Sequence, residues 1–133
     1  MEQLVYISTS RRELTQADVE EILTISRQNN VRDGLSGLLI IGGQRFLQVL
    51  EGPHSLLAAA YQRIASDKRH FALVELSRKA VPERSFPDWA MGFEDVSFAE
   101  NLSEIVDRLI APVSDPNLRA DLSGFAALHG RAA

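Results

Sequence analysis

The sequence predicts an α+β fold: a ferredoxin-like β-α-β-β-α-β sheet with an extra fifth strand, two helices on one face and a C-terminal helix pair on the other. Three observations predict it. Short apolar segments alternate with helical stripes in that order. Gly42-Gly43 separates two of the segments as a hairpin signal. Both faces of the strands carry apolar residues, so both need cover.

Residues 4–9 (LVYIST) read as the first strand, with Leu4, Tyr6 and Ser8 on one face and Val5, Ile7 and Thr9 on the other. Thr15 can cap a helix that has Asp18 at its third position, with Leu14 stapled on Val19. Val19, Ile22, Leu23 and Ser26 mark one face of that helix, which is expected to fade near Asn29-Asn30. Residues 35–41 and 44–51 are the second and third strands. Gly52-Pro53 ends the third, with Pro53 as first residue of a second helix. Leu56, Leu57, Ala60, Tyr61 and Ile64 form its stripe, and it ends near Asp67. Residues 70–78 are a fourth strand, and residues 88–94, around Trp89 and Met91, a short fifth.

The C-terminal segment is helical. Phe98, Leu102, Ile105, Val106, Leu109 and Ile110 make one stripe. Asp115-Pro116 restarts a helix that Leu118, Leu122, Phe125 and Leu128 continue and Gly130 stops. This pair is expected to cover Leu47, Val49, Leu39 and Ile41; a second subunit is the alternative cover. The division is residues 1–95 as one unit and 96–133 as a helical extension packed on it.

Composition narrows the function classes. The 133 residues hold 14 Lys and Arg against 18 Asp and Glu, a net charge of −4, with 45% apolar residues. That suits one globular core. No apolar run reaches the roughly 18–20 residues of a membrane span. Glu2 and no basic leader stand at the N-terminus, which points to the cytoplasm. No basic tract is present to neutralise phosphates, so direct nucleic-acid binding is not expected. Cysteine is absent, which removes disulfides, thiolate metal sites and a Cys nucleophile. The three histidines, His54, His70 and His129, have no metal-ligand spacing.

Several polar residues sit where packing alone would not put them. Gln48 shares a strand face with Phe46 and Leu50, and Tyr6 shares one with Leu4. A buried amide or phenol needs a partner, because leaving it unpaired costs about 1–3 kcal/mol. The first and third strands are neighbours in this topology, so Tyr6 and Gln48 can meet. Taken singly, Tyr6 and Gln48 read as a core pair, Asn29-Asn30 as a helix end, Arg63 and Asp67 as a surface ion pair, and Trp89 and Met91 as core. Together with Ile22 they converge on an apolar slot with amides, a cation and a phenol. That slot suits a flat, polar-edged, phosphate-bearing ligand.

These residues also carry a family resemblance. Leu4-Val5-Tyr6-Ile7-Ser8, Asn29-Asn30-Val31-Arg32, residues 34–39 (GLSGLL), residues 45–52 (RFLQVLEG), Asp67-Lys68-Arg69-His70 and residues 84–93 (RSFPDWAMGF) occur together in order. The chain resembles the BLUF domains, blue-light sensors that use FAD, in their short stand-alone form. The resemblance implies a non-covalently bound FAD, with FMN or riboflavin left open. It implies Tyr6 as electron and proton donor and Gln48 as the bridge to the flavin, with Ser8 close by. Asn30, and Asn29 beside it, would hold the ring; Ile22, Phe46 and Ile64 would contact it; Arg63, Asp67 and His70 would surround the ribityl chain and phosphate. Trp89 and Met91 would relay the signal. The implied function is a reversible red-shifted signalling state passed to an unidentified downstream protein or to self-assembly as a homo-oligomer, with no catalytic turnover. Two other readings stay open at this point: a small acyl-phosphate hydrolase using Arg63 and Asn30, and a flavin-free binding module.

Overall fold

The computed structural model describes residues 1–97 and 101–130. Phe98, expected in the first stripe of the extension, lies outside them. The elements run β1 (Glu2–Ser10), α1 (Gln16–Asp33), β2 (Ser36–Gly42), β3 (Arg45–Gly52), α2 (His54–Ala65), β4 (His70–Ala80), β5 (Gly92–Asp95), α3 (Leu102–Ile110) and α4 (Pro116–His129). The strands form one sheet in the order β4-β1-β3-β2-β5. Every pairing is antiparallel except that of β2 with β5. This is the expected ferredoxin-like sheet with an added edge strand.

Local sequence explains the element ends. Thr15 accepts the Asp18 N–H and Asp18 accepts the Thr15 N–H, a reciprocal capping box. Leu14 and Val19, the expected staple pair, both pack against the core cluster under α1 and α2. The helix outlasts Asn29-Asn30 and runs to Asp33, because Gly34 supplies the left-handed residue (φ 67°) that ends it. Gly43, at φ 62°, makes the hairpin turn. Pro53 is the cap of α2 rather than its first residue, and the helix stops at Ala65, before Asp67. Asp115 caps α4, with Pro116 in its first turn. Gly130 ends α4 in an extended conformation (φ −82°), and Leu128 is exposed, one step off the buried stripe of Leu118, Leu122, Phe125 and Ala126.

The sheet separates two cores. On one face Leu4, Tyr6, Leu39, Ile41, Phe46 and Leu50 pack under α1 and α2. On the other, Val5, Leu38, Ile40, Leu47 and Val49 pack under Leu109 of α3 and Leu118, Leu122 and Phe125 of α4. The extension therefore covers Leu38 and Ile40, not Leu39 and Ile41. The register gives the reason: Leu39 stands opposite Gln48 and Ile41 opposite Phe46, and directly opposed residues share a face.

The fifth strand also begins later than expected. Trp89 and Met91 precede it. The Trp89 N–H donates to the Phe86 carbonyl at 3.3 Å, and the two rings stack at 5.4 Å, which folds residues 86–89 into a turn. Pairing with β2 starts only at Gly92, opposite Leu38.

Candidate functional site

Strand register lays the floor of the site. Tyr6 on β1 stands directly opposite Gln48 on β3. Their side chains point to the α1–α2 face, where the Tyr6 hydroxyl donates to Gln48 Oε1. The other end of the amide, Nε2, lies 3.6 Å from the Met91 sulfur, a weak acceptor. Tyr6, Gln48 and Met91 thus form one continuous buried chain. Burial pushes the Tyr6 phenol well above the ordinary tyrosine range, and the neighbouring Tyr61 and Asp67 push the same way. Tyr61 meets Tyr6 edge-on at 5.8 Å.

A cavity of about 240 Å³ opens above this floor. Phe46 and Leu39 continue the floor, and Tyr6, Ser8 and Gln48 are part of it. One wall is the α1 stripe of Ile22, Ile25, Ser26 and Asn29, residues three or four apart and hence on one side of the helix. Ile64 and Arg63 at the end of α2 form the other. Asp67, Arg69 and His70 close the rim. Ser8 and His70 meet at 3.0 Å through Nδ1, while His70 Nε2 lies 2.6 Å from the Ile64 carbonyl. A carbonyl only accepts, so Nε2 carries a proton; in the neutral ring Nδ1 then accepts from the Ser8 hydroxyl.

The expected Arg63–Asp67 pair does not form. With α2 ended at Ala65, Asp67 leaves the helical register and its carboxylate receives the Arg69 guanidinium at 2.6 Å. That hydrogen bond holds the Asp67 carboxyl below its ordinary range. Arg63 instead approaches Asp33, at the end of α1, at 3.6 Å. The rim therefore presents two guanidiniums, Arg63 and Arg69, and a set of apolar walls: a place for a ring inside and an anionic group outside.

Most of the residues named from the sequence are brought together here: Tyr6, Ser8, Ile22, Asn29, Phe46, Gln48, Arg63, Ile64, Asp67 and His70 all line the cavity. Asn30 is buried behind the wall, with Nδ2 donating to the Ala90 carbonyl. Met91 is turned in and 2% exposed; Trp89 is turned out and 37% exposed. Sequence reasoning missed Leu14, Ile25, Leu39 and Arg69. The spacing from Ile22 was a signal for Ile25, and the face shared with Gln48 was one for Leu39. It also missed Arg27, whose Nε donates to the Met91 carbonyl at 3.0 Å, and no pattern in the chain marks that contact.

Comparison with known proteins identifies the family. The family model described as sensors of blue-light using FAD matches residues 1–92. The blue light- and temperature-regulated antirepressor BluF of Escherichia coli K12 is 32% identical over 97 residues, covering 73% of this chain. The chain spans about a quarter (24%) of that relative's length. The dark-state structure of BlrB, a BLUF protein, superposes with a TM-score of 0.75 at 31% identity over 96% of both chains. Klebsiella pneumoniae BlrP1 with FMN and cyclic diGMP gives a TM-score of 0.82 at 27% identity, over 95% of this chain and 34% of that one. With the family model spanning the whole of β1 to β4 and the buried Tyr6–Gln48 pair in place beneath a ring-sized cleft, the chain belongs to the BLUF family of flavin-binding blue-light photoreceptors.

Proposed function

We propose that light sensing in this chain runs through the Tyr6–Gln48–Met91 chain, and that residues 1–95 are the sensor and 96–133 its output extension. The carrying observation is the direct bond from the Tyr6 hydroxyl to Gln48 Oε1 at the floor of the cavity. The residues present suit a flavin. Ile22, Ile64, Leu39 and Phe46 are apolar walls for a planar ring; Gln48 and Asn29 offer amides to its polar edge; Arg63 and Arg69 offer cations to a phosphate. Asn30 belongs with Asn29 at that edge, and serving it would exchange the bond to Ala90 O. Asp67 and His70 would order the rim around the ribityl chain.

A bound flavin, FAD by family and FMN in the BlrP1 structure, supplies the light absorption and the electron acceptor. The protein's part follows from its side chains. Tyr6 can give up an electron and its phenolic proton together, and Gln48 Oε1 is the group already receiving that hydrogen bond. The Gln48 carboxamide has an acceptor at one end and a donor at the other. Rotating it, or moving one Nε2 proton to Oε1 as it tautomerises, exchanges what it presents to Tyr6, to the ring and to the Met91 sulfur, with no covalent bond made to the ring. Met91 senses the exchange because its sulfur faces Nε2. Ser8 and His70 brace β1 against the end of α2.

The activity is sensing, not turnover. The hydrolase alternative would use Arg63 and Asn30, yet Arg63 approaches Asp33 and Asn30 is bonded to Ala90 O. The output goes to a downstream protein or to self-assembly. No helix among the described residues is long and apolar enough to cross a membrane. The test is optical. The purified protein should be yellow and show a small red shift under blue light that reverses in the dark. Tyr6→Phe should stay yellow and lose the shift, since its ring fills the same space without a proton to give. A normal shift in that variant overturns the role of Tyr6.

A further inference from the structure

Residues 84–91 form a strap that passes from one face of the sheet to the other. At its first end Ser85 and Phe86 each donate a backbone N–H to the Glu51 carboxylate at 2.7 Å, and Phe86 is buried in the core under the C-terminal helices. At its last end Met91 is buried on the cavity face, against Gln48. Between them Trp89 stacks on Phe86.

The two ends are held differently. Glu51 is 0% exposed. A carboxylate so buried persists only where several donors are aimed at it. Two of its donors are the strap's own amides; the Gln3 amide at 3.0 Å and the Ser36 hydroxyl at 3.5 Å are the others. Arg84 adds bonds to Ser36 Oγ at 2.8 Å and to the Glu51 carbonyl at 3.2 Å. The Met91 end has one bond with a charged donor, Arg27 to Met91 O, beside three neutral ones: Asn30 to Ala90 O, Gly37 N–H to Trp89 O and Gln48 to a thioether. Two short backbone bonds to one buried carboxylate, with Arg84 beside them, outweigh the single charged donor at Met91, so the strap should yield first at Met91. Beside Trp89 lies a cavity of about 230 Å³ bounded by Leu38, Phe93, Arg108 and Leu109, which leaves the indole room next to α3.

We infer that Glu51 is the fixed pivot of the strap: by holding Ser85 and Phe86 still, it delivers a displacement of Met91 to Trp89 and α3 instead of letting it spread along the chain. Glu51 is a positioning residue on this account. The inference rests on the light-driven rearrangement of Gln48 proposed above.

Glu51→Gln tests it. The amide keeps one acceptor oxygen and puts an N–H against the second backbone donor. In the dark, hydrogen exchange at the Ser85 or Phe86 amide should rise roughly tenfold or more, as loss of a bond to a charged group implies. Under blue light the red shift should keep its full size. The accompanying change in fluorescence of Trp89, the sole tryptophan, should fall to less than half. Arg84→Met, which leaves the carboxylate in place, should act in the same direction and more weakly, and serves if Glu51→Gln does not fold. Ala60→Gly, in α2 on the opposite face, should lower thermal stability and leave the Trp89 response intact. Parental exchange at both amides, a full Trp89 response, or an equal loss in Ala60→Gly overturns the pivot. Absence of any red shift in the parent protein would instead count against the proposed light sensing, and the exchange measurement would still judge the pivot.

Discussion

Tyr6 donates its hydroxyl to the Gln48 amide inside a buried layer, and that burial governs its acid–base behaviour. The chain has two tyrosines, and both phenols are held above the ordinary range by burial, Tyr6 far more than Tyr61. In an alkaline titration Tyr61 should ionise first. Tyr6 should ionise only as the fold is lost. The sign follows from linkage: the unfolded phenol releases its proton near pH 10 while the folded one keeps it. Stability is therefore intact below about pH 10 and falls by about 1.4 kcal/mol per pH unit above it. Ultraviolet difference spectra of the parent and Tyr61→Phe would assign the two steps. A freely titrating Tyr6 near pH 10 would show that its phenol is not buried in solution. Gln48→Leu keeps most of the volume and removes both ends of the amide. It should bind flavin and show no red shift, and a normal photocycle in that variant would exclude the amide as the switch.

At the scale of elements, the connection between β4 and β5 matters more than either strand. It bonds backbone to Glu51 on one face and places Met91 on the other. Met91→Leu nearly conserves volume, so its stability should fall by less than about 1.5 kcal/mol. It removes the sulfur that faces Gln48 Nε2. The initial red shift should survive, while light-minus-dark infrared amide bands, which report backbone movement, should weaken. Met91→Ala should weaken them further. Bands identical to the parent's in both variants would remove Met91 from the relay.

For the molecule as a whole, the C-terminal helices and the cavity lie on opposite faces of the sheet. Lys79 on β4 and Asp115 at the cap of α4 form an ion pair that ties the extension to the far edge strand, and Arg108 on α3 pairs with Glu94 on β5 at 2.5 Å. These exposed pairs contribute little by themselves; the buried apolar face stabilises the extension far more. Deleting residues 97–133 uncovers Leu38, Ile40, Leu47, Val49 and Phe86. At about 25 cal/mol per Å² that face is worth several kcal/mol, against about 5–15 kcal/mol for a whole domain. The truncated chain should aggregate or dimerise through the bare sheet. Any yellow soluble fraction should still show the red shift, because the cavity is elsewhere. Size-exclusion chromatography with absorbance detection decides it: a monomeric truncation of parental stability would show that the extension serves partner binding and not cover.

Element order, the capping box at Thr15, the hairpin at Gly43 and the opposition of Tyr6 to Gln48 are all readable in the chain, because each depends on residues close in sequence or on strict strand alternation. The family motifs add the cofactor and most of the cavity wall. Other features depend on contacts between distant segments. Which of two adjacent residues on β2 faces the extension follows from pairing with β3, and one step of phase exchanges Leu38 for Leu39. Helical spacing pairs Arg63 with Asp67, but the early end of α2 sends Arg63 towards Asp33. Trp89 turns outward because Phe86 gives its ring a stacking partner, and Met91 turns inward because Gln48 and Arg27 await it. Glu51 reads in sequence as the polar end of a strand. Only the fold brings Ser85 and Phe86 to it, and a carboxylate can be fully buried only where such donors converge.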